Sequence, residues 1–349
     1  MKTPDGDRLW SWVRFFLEEY LPRHRGASLH TVASYRTCFR LLRDFLQQRS
    51  GDEIAGHVLV HQLQPALILD FLGWLESSRG RKVSARTRNC RLAAIKSFFR
   101  LLELYRDPEE LTLWQRLRQL PFKRAARPHQ DSLETYELEQ VWAQISTLTH
   151  DGFRDLTLLT LMYNTGARAD EVASLHSTAL WLNRSPTVRL MGKGRLERVC
   201  PLWEPTACLL ERYLKDHRRR PQASHAPFVF INQRGARLTR FGVGCIVKKY
   251  FTKAALVTPS LRSKRLSAHN LRHTTAIHLL DSGADVNLIK GWLGHQSTRS
   301  TSAYLNRDLE AYRQMLEAFR APTMVQNLAM KGSSVDEASQ PLEDWLKRL

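Results

Sequence analysis

The sequence predicts a mainly α protein with a small β-sheet or hairpin, an α+β chain of two domains. Three observations predict it. Apolar residues recur at helical spacing through most of the chain. One hairpin signal, TVRLMGKGRLERVCPL, interrupts them. Between two helical stretches lies PFKRAARPHQD, residues 121–131, with two prolines, four basic residues and little apolar content, which is the composition of a linker. The 349 residues are enough for two domains with buried cores. The expected division is a helical domain over 1–120, the linker, a second domain over 132–322, and a spacer with a short tail helix over 323–349.

The first domain reads as four helices. Trp10, Val13, Phe16, Leu17 and Tyr20 open the chain with helical periodicity, and Pro22 is expected to end that segment. Ser28 can cap the next helix, where Tyr35, Phe39, Leu42 and Phe45 form the apolar stripe and Arg36, Arg40 and Arg43 border it. Pro65 opens a third helix carrying Leu67, Ile68, Phe71, Leu72 and Leu75. Ser84 precedes the fourth, in which Leu92, Ile95, Phe98, Phe99 and Leu102 alternate with Arg86, Arg88, Arg91, Lys96 and Arg100. A basic helix face is usually a solvated surface, but in a chain this cationic it also suits phosphate groups.

The second domain begins with SLETYELEQVWAQI, where Ser132 is the expected helix cap. DLTLLTLMYNTGARADEVASL reads as a buried helix, a turn at Thr165-Gly166, and a second helix bearing Arg168 and Glu171. In the hairpin, Val188 and Leu190 alternate, Gly192-Lys193-Gly194 makes the tight turn, and Val199 lies on the return strand. The turn would present Lys193 outward, and it lacks the spacing of a nucleotide-binding P-loop. CLLERYLKDHRRR reads as a helix, FVFIN as a short strand, and Thr239 as the start of another helix.

Ser267 to Tyr304 concentrates the chemistry. His269 and Arg272, three apart on an expected helix capped by Ser267, share a face. Gly283 stops that helix and Asp285 caps the next, which ends at Gly294 and presents His295. A Ser/Thr-rich turn then leads to Tyr304. A guanidinium, two imidazoles and a phenol near helix ends suit a phosphodiester, because Arg grips phosphate oxygens through two donors and a phenol can attack phosphorus. His269 and His273 have metal-ligand spacing, but no carboxylate or Cys ligand lies near them in sequence. After Tyr304, Tyr312, Met315, Leu316 and Phe319 mark an amphipathic helix broken by Pro322. The final segment, PLEDWLKRL, places Leu342, Trp345, Leu346 and Leu349 on a stripe too short to stand alone, so it needs a surface to dock on.

The formal net charge of +19 and the pI near 10.1 point to a polyanionic partner, and the 43% hydrophobic content points to a folded chain rather than a basic tail. No apolar run has the length of a membrane span, and MKTPDGDRLW lacks a signal-peptide core. Five scattered cysteines without a Cys-x-x-Cys suggest reduced thiols in a cytoplasmic protein.

His269-x-x-Arg272, Leu293-Gly294-His295 and Thr301-x-x-Tyr304, together with Thr165-Gly166-x-Arg168-x-x-Glu171, resemble the catalytic motifs of the tyrosine recombinases, the phage-integrase and Xer group. The resemblance implies a helical core-binding domain and a catalytic domain that form a C-shaped clamp on DNA. It also implies a catalytic set of Arg168, Lys193, His269, Arg272, His295 and Tyr304, with Glu171 buttressing Arg168. Tyr304 would attack the phosphodiester, the arginines would stabilise the phosphorane, and Lys193 would protonate the leaving 5′-oxygen. No metal or other cofactor is implied, since the covalent ester preserves the bond energy. The implied partner is double-stranded DNA with specific recombination sites. A homo-tetramer would form on synapsed DNA, with a monomer or weak oligomer free in solution, and accessory DNA-bending proteins or sister recombinases are further partners that the resemblance implies. Arg36, Arg40, Arg86, Arg88, Arg91 and Lys96 are the expected DNA contacts in the first domain. The expected location is a bacterial cytoplasm, at the nucleoid, and the expected owner is a mobile element or phage. Two alternatives use the same residues: a type IB topoisomerase, and a non-catalytic DNA-binding accessory to another recombinase.

Overall fold

The computed structural model describes residues 4, 6–77, 82–105, 111–125, 131–192, 196–294 and 305–328. The chain divides into two compact units, Met1–Pro128 and His129–Leu349.

The first unit is helical throughout its described residues. Helix α1 (Leu9–Phe15) runs directly into a π-helical stretch, Phe16–His24, that contains Pro22. Pro22 therefore does not end the segment at that point, as the sequence suggested. The wider π repeat moves the hydrogen-bond ladder past the residue that cannot donate. Helix α2 (Leu29–Ser50) is capped by Ser28, whose hydroxyl accepts from the Thr31 amide at 3.2 Å. The short α3 (Asp52–Gly56), α4 (Pro65–Glu76), α5 (Ala85–Tyr105) and α6 (Leu111–Gln119) complete the unit. Its core is aromatic. Phe16, Phe39, Phe98 and Phe99 pack edge to face, and Trp114 is fully buried.

The second unit is built around α8 (His150–Thr165), which is buried on nearly every face because other helices of the unit pack around it. It is preceded by α7 (Thr135–Ala143). That helix is capped by Glu134 and not by Ser132, because Glu137 at the third position returns its carboxylate to the Glu134 amide at 2.8 Å. After α8 come α9 (Ala169–Ala173) and a three-stranded antiparallel sheet. Its strands β1 (Leu180–Trp181), β2 (Thr187–Met191) and β3 (Glu197–Pro201) lie in sequence order. The expected hairpin is β2–β3, with Val188 opposite Cys200 and Leu190 opposite Arg198. The expected FVFIN strand is absent: Phe228 and Ile231 make only isolated bridges, to His176 and Arg237.

Helices α10 (Glu204–Arg212), α11 (Arg240–Val257), α12 (Ala268–Asp281), α13 (Val286–Leu293) and α14 (Leu305–Ala318) follow. Asp285 caps α13 by accepting from the Asn287 and Leu288 amides. Ser267 stands at the cap position of α12 without capping its amides, and its hydroxyl donates to the Asn270 side chain instead. Among the described residues no helix is long and apolar enough to cross a membrane.

Candidate active site

The site is assembled where three helix ends meet the root of the hairpin. Helix α8 stops at Gly166, which adopts a left-handed conformation (φ +60°) that a side chain would strain. A Cβ there would also stand 2.4 Å from Leu293, so the turn must be glycine for packing as well as for backbone reasons. Two residues on, Arg168 is the cap residue of α9, and Glu171 reaches back to accept from its amide at 2.9 Å. The same carboxylate accepts from Arg168 Nη1 at 2.9 Å.

Arg272 approaches from α12. Its guanidinium is 3% exposed and donates to the Gly166 carbonyl at 2.7 Å and to the Leu293 carbonyl. One side chain thus ties the end of α8 to the end of α13, where Gly294 turns the chain in a left-handed conformation (φ +64°). Thr275, one turn along α12, secures the same packing by donating to the Tyr163 carbonyl at 2.8 Å. His269 lies one turn before Arg272, at the exposed side of the helix.

The electrostatics follow from this crowding. Burial, followed by the charges of Arg168 and Arg198, lowers the Arg272 pKa to about 10, which leaves it charged at neutral pH. Burial, then Arg272, Arg168 and His273, pushes the His269 imidazole below its usual range, so it is held neutral and able to accept a proton. Burial alone would raise the Glu171 carboxyl, but bonds from Arg198 and Arg168 outweigh it and hold the group ionised. Arg168 and Arg198 bond to one carboxylate, whose charge also acts on Arg272. Such a surplus of buried positive charge favours an anion at the open side of the cluster, where Arg168 is 36% exposed.

Arg168, Glu171, His269 and Arg272 are thus brought together, as their spacings implied. Lys193, His295 and Tyr304 lie outside the described residues, as do Leu342, Trp345, Leu346 and Leu349 of the tail. The described chain adjoins all three, since α14 begins at Leu305 directly after Tyr304. Gly192 closes the hairpin root by donating to the Leu196 carbonyl at 2.7 Å, and Gly294 ends α13.

Arg198 was not among the candidates. Its guanidinium makes a two-pronged bond to Glu171, at 2.7 and 3.1 Å. One signal could have found it. In the hairpin register, Arg198 faces the buried Leu190 and precedes the buried Cys200 by two, so it occupies an inward position that a charged residue takes only with a partner.

The basic positions of the first unit divide. Arg36, Arg40 and Arg86 are exposed. Arg88 does not belong with them. It is 8% exposed, with its guanidinium near Glu76 and donating to Asn89 and the Pro121 carbonyl, because its place on α5 faces inward. Arg91 is occupied with the Ser34 carbonyl at 2.9 Å, and Lys96 stacks its ammonium over the Phe122 ring at 4.5 Å.

Comparison with known proteins agrees with this geometry. Residues 131–310 match the phage integrase family, and residues 15–104 match the phage integrase N-terminal SAM-like domain. The chain is 36% identical over 309 residues to a putative integrase/recombinase, y4rC, of Sinorhizobium fredii (strain NBRC 101917 / NGR234), covering 88% of this chain and 89% of that protein. It is 34% identical over 300 residues to the tyrosine recombinase XerC of Roseiflexus sp. (strain RS-1), covering 84% and 88%. Among solved structures, the XerH site-specific recombinase bound to its difH substrate matches with a TM-score of 0.60 at 21% identity, over 86% of this chain and 82% of that one. The Tn1549 transposon integrase in complex with transposon right end DNA matches with a TM-score of 0.59 at 16% identity, over 91% and 98%. With the matched regions spanning both units and the arginine cluster in its place, this chain belongs to the phage integrase family of tyrosine recombinases.

Proposed function

We propose that the protein cleaves and rejoins double-stranded DNA at specific sites through a 3′-phosphotyrosyl intermediate on Tyr304. The observation that carries this reading is the cluster of Arg168 and Arg272 around a single carboxylate, with a neutral His269 one helical turn away. The phenolic oxygen of Tyr304 attacks phosphorus and the P–O bond to the 5′-oxygen breaks, with the phenolic proton passing to His269. Arg168 and Arg272 bind the non-bridging oxygens, on which negative charge grows in the phosphorane. His295 donates to the phosphate and Lys193 protonates the departing 5′-oxygen. Attack by a 5′-hydroxyl of another strand reverses the same steps, and no nucleotide or metal is required.

The same reading assigns Arg36, Arg40 and Arg86 to phosphate contacts and places the protein in a bacterial cytoplasm, serving a mobile element or phage. Four copies act on a synapsed pair of sites. Residues 323–328 pack on the core of their own unit, and the segment that follows docks on its own domain or on a neighbouring copy. Similarity to a tyrosine recombinase, to a site-specific recombinase bound to its substrate and to a transposon integrase bound to transposon end DNA supports the recombinase reading. The test is covalent trapping on a nicked site. Wild type should form an adduct resistant to denaturation, and Tyr304→Phe should bind DNA without forming it. An adduct in the Phe variant would remove Tyr304 from the role of nucleophile.

A further inference from the structure

Arg198 sits where the hairpin, the first turn of α9 and the end of α13 meet. It lies on β3 opposite Leu190, close to the hairpin root at Gly192. Its side chain is 10% exposed and would be costly to bury without a partner. Glu171 supplies that partner and is used to capacity: Oε1 accepts from Arg198 Nη1 (3.1 Å) and Arg168 Nη1 (2.9 Å), and Oε2 from Arg198 Nη2 (2.7 Å) and the Arg168 amide (2.9 Å). Those four contacts match the acceptor sites of a carboxylate.

Two glycines leave room for this arrangement. A Cβ on Gly192 would lie 3.5 Å from Glu171 Oε1, so the hairpin root passes beside the carboxylate. A Cβ on Gly294 would lie 3.3 Å from both Cδ and Nη1 of Arg198, so the turn before His295 rests on the arginine itself. Removal of Arg198 leaves Arg168 with both of its bonds to Glu171. What it removes is the ionic attachment of the hairpin to the body of the site.

We propose that Arg198 is a positioning residue that fixes the β2–β3 hairpin against Glu171 and thereby aims Lys193 at the leaving 5′-oxygen. The proposal rests on the reading of Lys193 as the general acid. A planar two-pronged fork is needed for this, because it defines orientation as well as distance, and a lysine ammonium cannot reproduce it.

The experiment is single-turnover cleavage by DNA-bound protein, comparing an ordinary substrate with one whose bridging 5′-oxygen is sulfur. Rates of bound complexes do not depend on the fraction of protein that folds. Sulfur leaves as a thiolate and needs no proton, so a defect in proton delivery disappears on that substrate. Arg198→Lys should cleave the oxygen substrate about 10- to 100-fold more slowly, the scale of a misplaced catalytic group, with an unchanged Kd. On the sulfur substrate it should match wild type. Lys193→Ala serves as the control and should show the same rescue. Rescue of Lys193→Ala without rescue of Arg198→Lys overturns the proposal and leaves the role of Lys193 intact. Unslowed cleavage by Arg198→Lys on oxygen also overturns it. Failure of sulfur to rescue Lys193→Ala overturns the reading of the lysine, and the proposal with it.

Discussion

Among the described residues of the second unit, two buried carboxylates are bonded to arginine, and their surroundings differ in one respect. Asp155, 1% exposed, accepts from Arg154 Nη2 at 2.6 Å and from the Tyr250 hydroxyl at 2.9 Å. Arg154 also donates to Asp151 at 3.1 Å and to the Ile231 carbonyl. One buried guanidinium there faces two carboxylates. Lys249 and Arg219, the remaining cations, are 50% and 41% exposed and keep contact with water. Around Glu171 the proportion is inverted, with Arg198 and Arg272 buried and Arg168 at the rim beside one carboxylate. Burial and ion pairing are common to both clusters. Only the second keeps an excess of positive charge, and that excess is what a phosphate can neutralise.

Substitutions can break this contrast, beginning with the largest effect. Asp155→Ala strands the Arg154 guanidinium, and loss of one partner of a buried pair costs about 3–5 kcal/mol. Denaturant unfolding should show that loss, while DNA-bound protein that remains folded cleaves at the wild-type rate. Arg272→Ala should do the reverse in its larger part. Removing one donor to developing charge slows chemistry by about 10²–10³-fold, and single-turnover cleavage should show this equally on oxygen and sulfur substrates. Glu171→Gln comes next. Charged hydrogen bonds of this kind are worth about 1.5–3 kcal/mol, and DNA should restore part of the loss, so the rise in Tm on adding DNA should exceed that of wild type. Asp155→Ala should show no such extra gain.

The smallest effect is the pH dependence of His269. Its folded pKa is depressed, so between that value and the ordinary value near 6.5 the unfolded chain binds more protons. Stability from this group is present above the unfolded value and declines as pH falls through it toward the folded one. His217 and His278 shift the same way, so the readout is the difference between wild type and His269→Asn across that window. A difference that is flat with pH would show that the imidazole is not held neutral by desolvation and the neighbouring arginines.

Much of the site was legible because its residues are local. Thr165 to Glu171 spans a helix end, a left-handed turn and a cap, and each is dictated by a nearby residue. His269 and Arg272 share one helix turn. The misjudged positions had two causes, a competing local geometry at Pro22 and Ser132 and missing partner strands at Phe228 to Ile231. Pro22 is absorbed by a π-helical stretch, and Ser132 yields its capping role to Glu134. Phe228 to Ile231 finds only isolated bridge partners where a strand was expected.

The arginines mark the boundary most clearly. Periodicity pointed to the long helices but not to α3 or α6, the turn residues pointed to the hairpin, and motif spacing grouped Arg168, Glu171, His269 and Arg272. The fate of each further charge was decided only by the tertiary structure. Arg88 turns inward to Glu76, Arg154 is absorbed between two aspartates, and Arg198 joins a glutamate 27 positions away in sequence. A helical or strand period specifies the direction in which a side chain leaves the backbone. Whether a charge pointing that way meets water, a neutralising partner or the same partner as another cation depends on chain segments that the local pattern does not include.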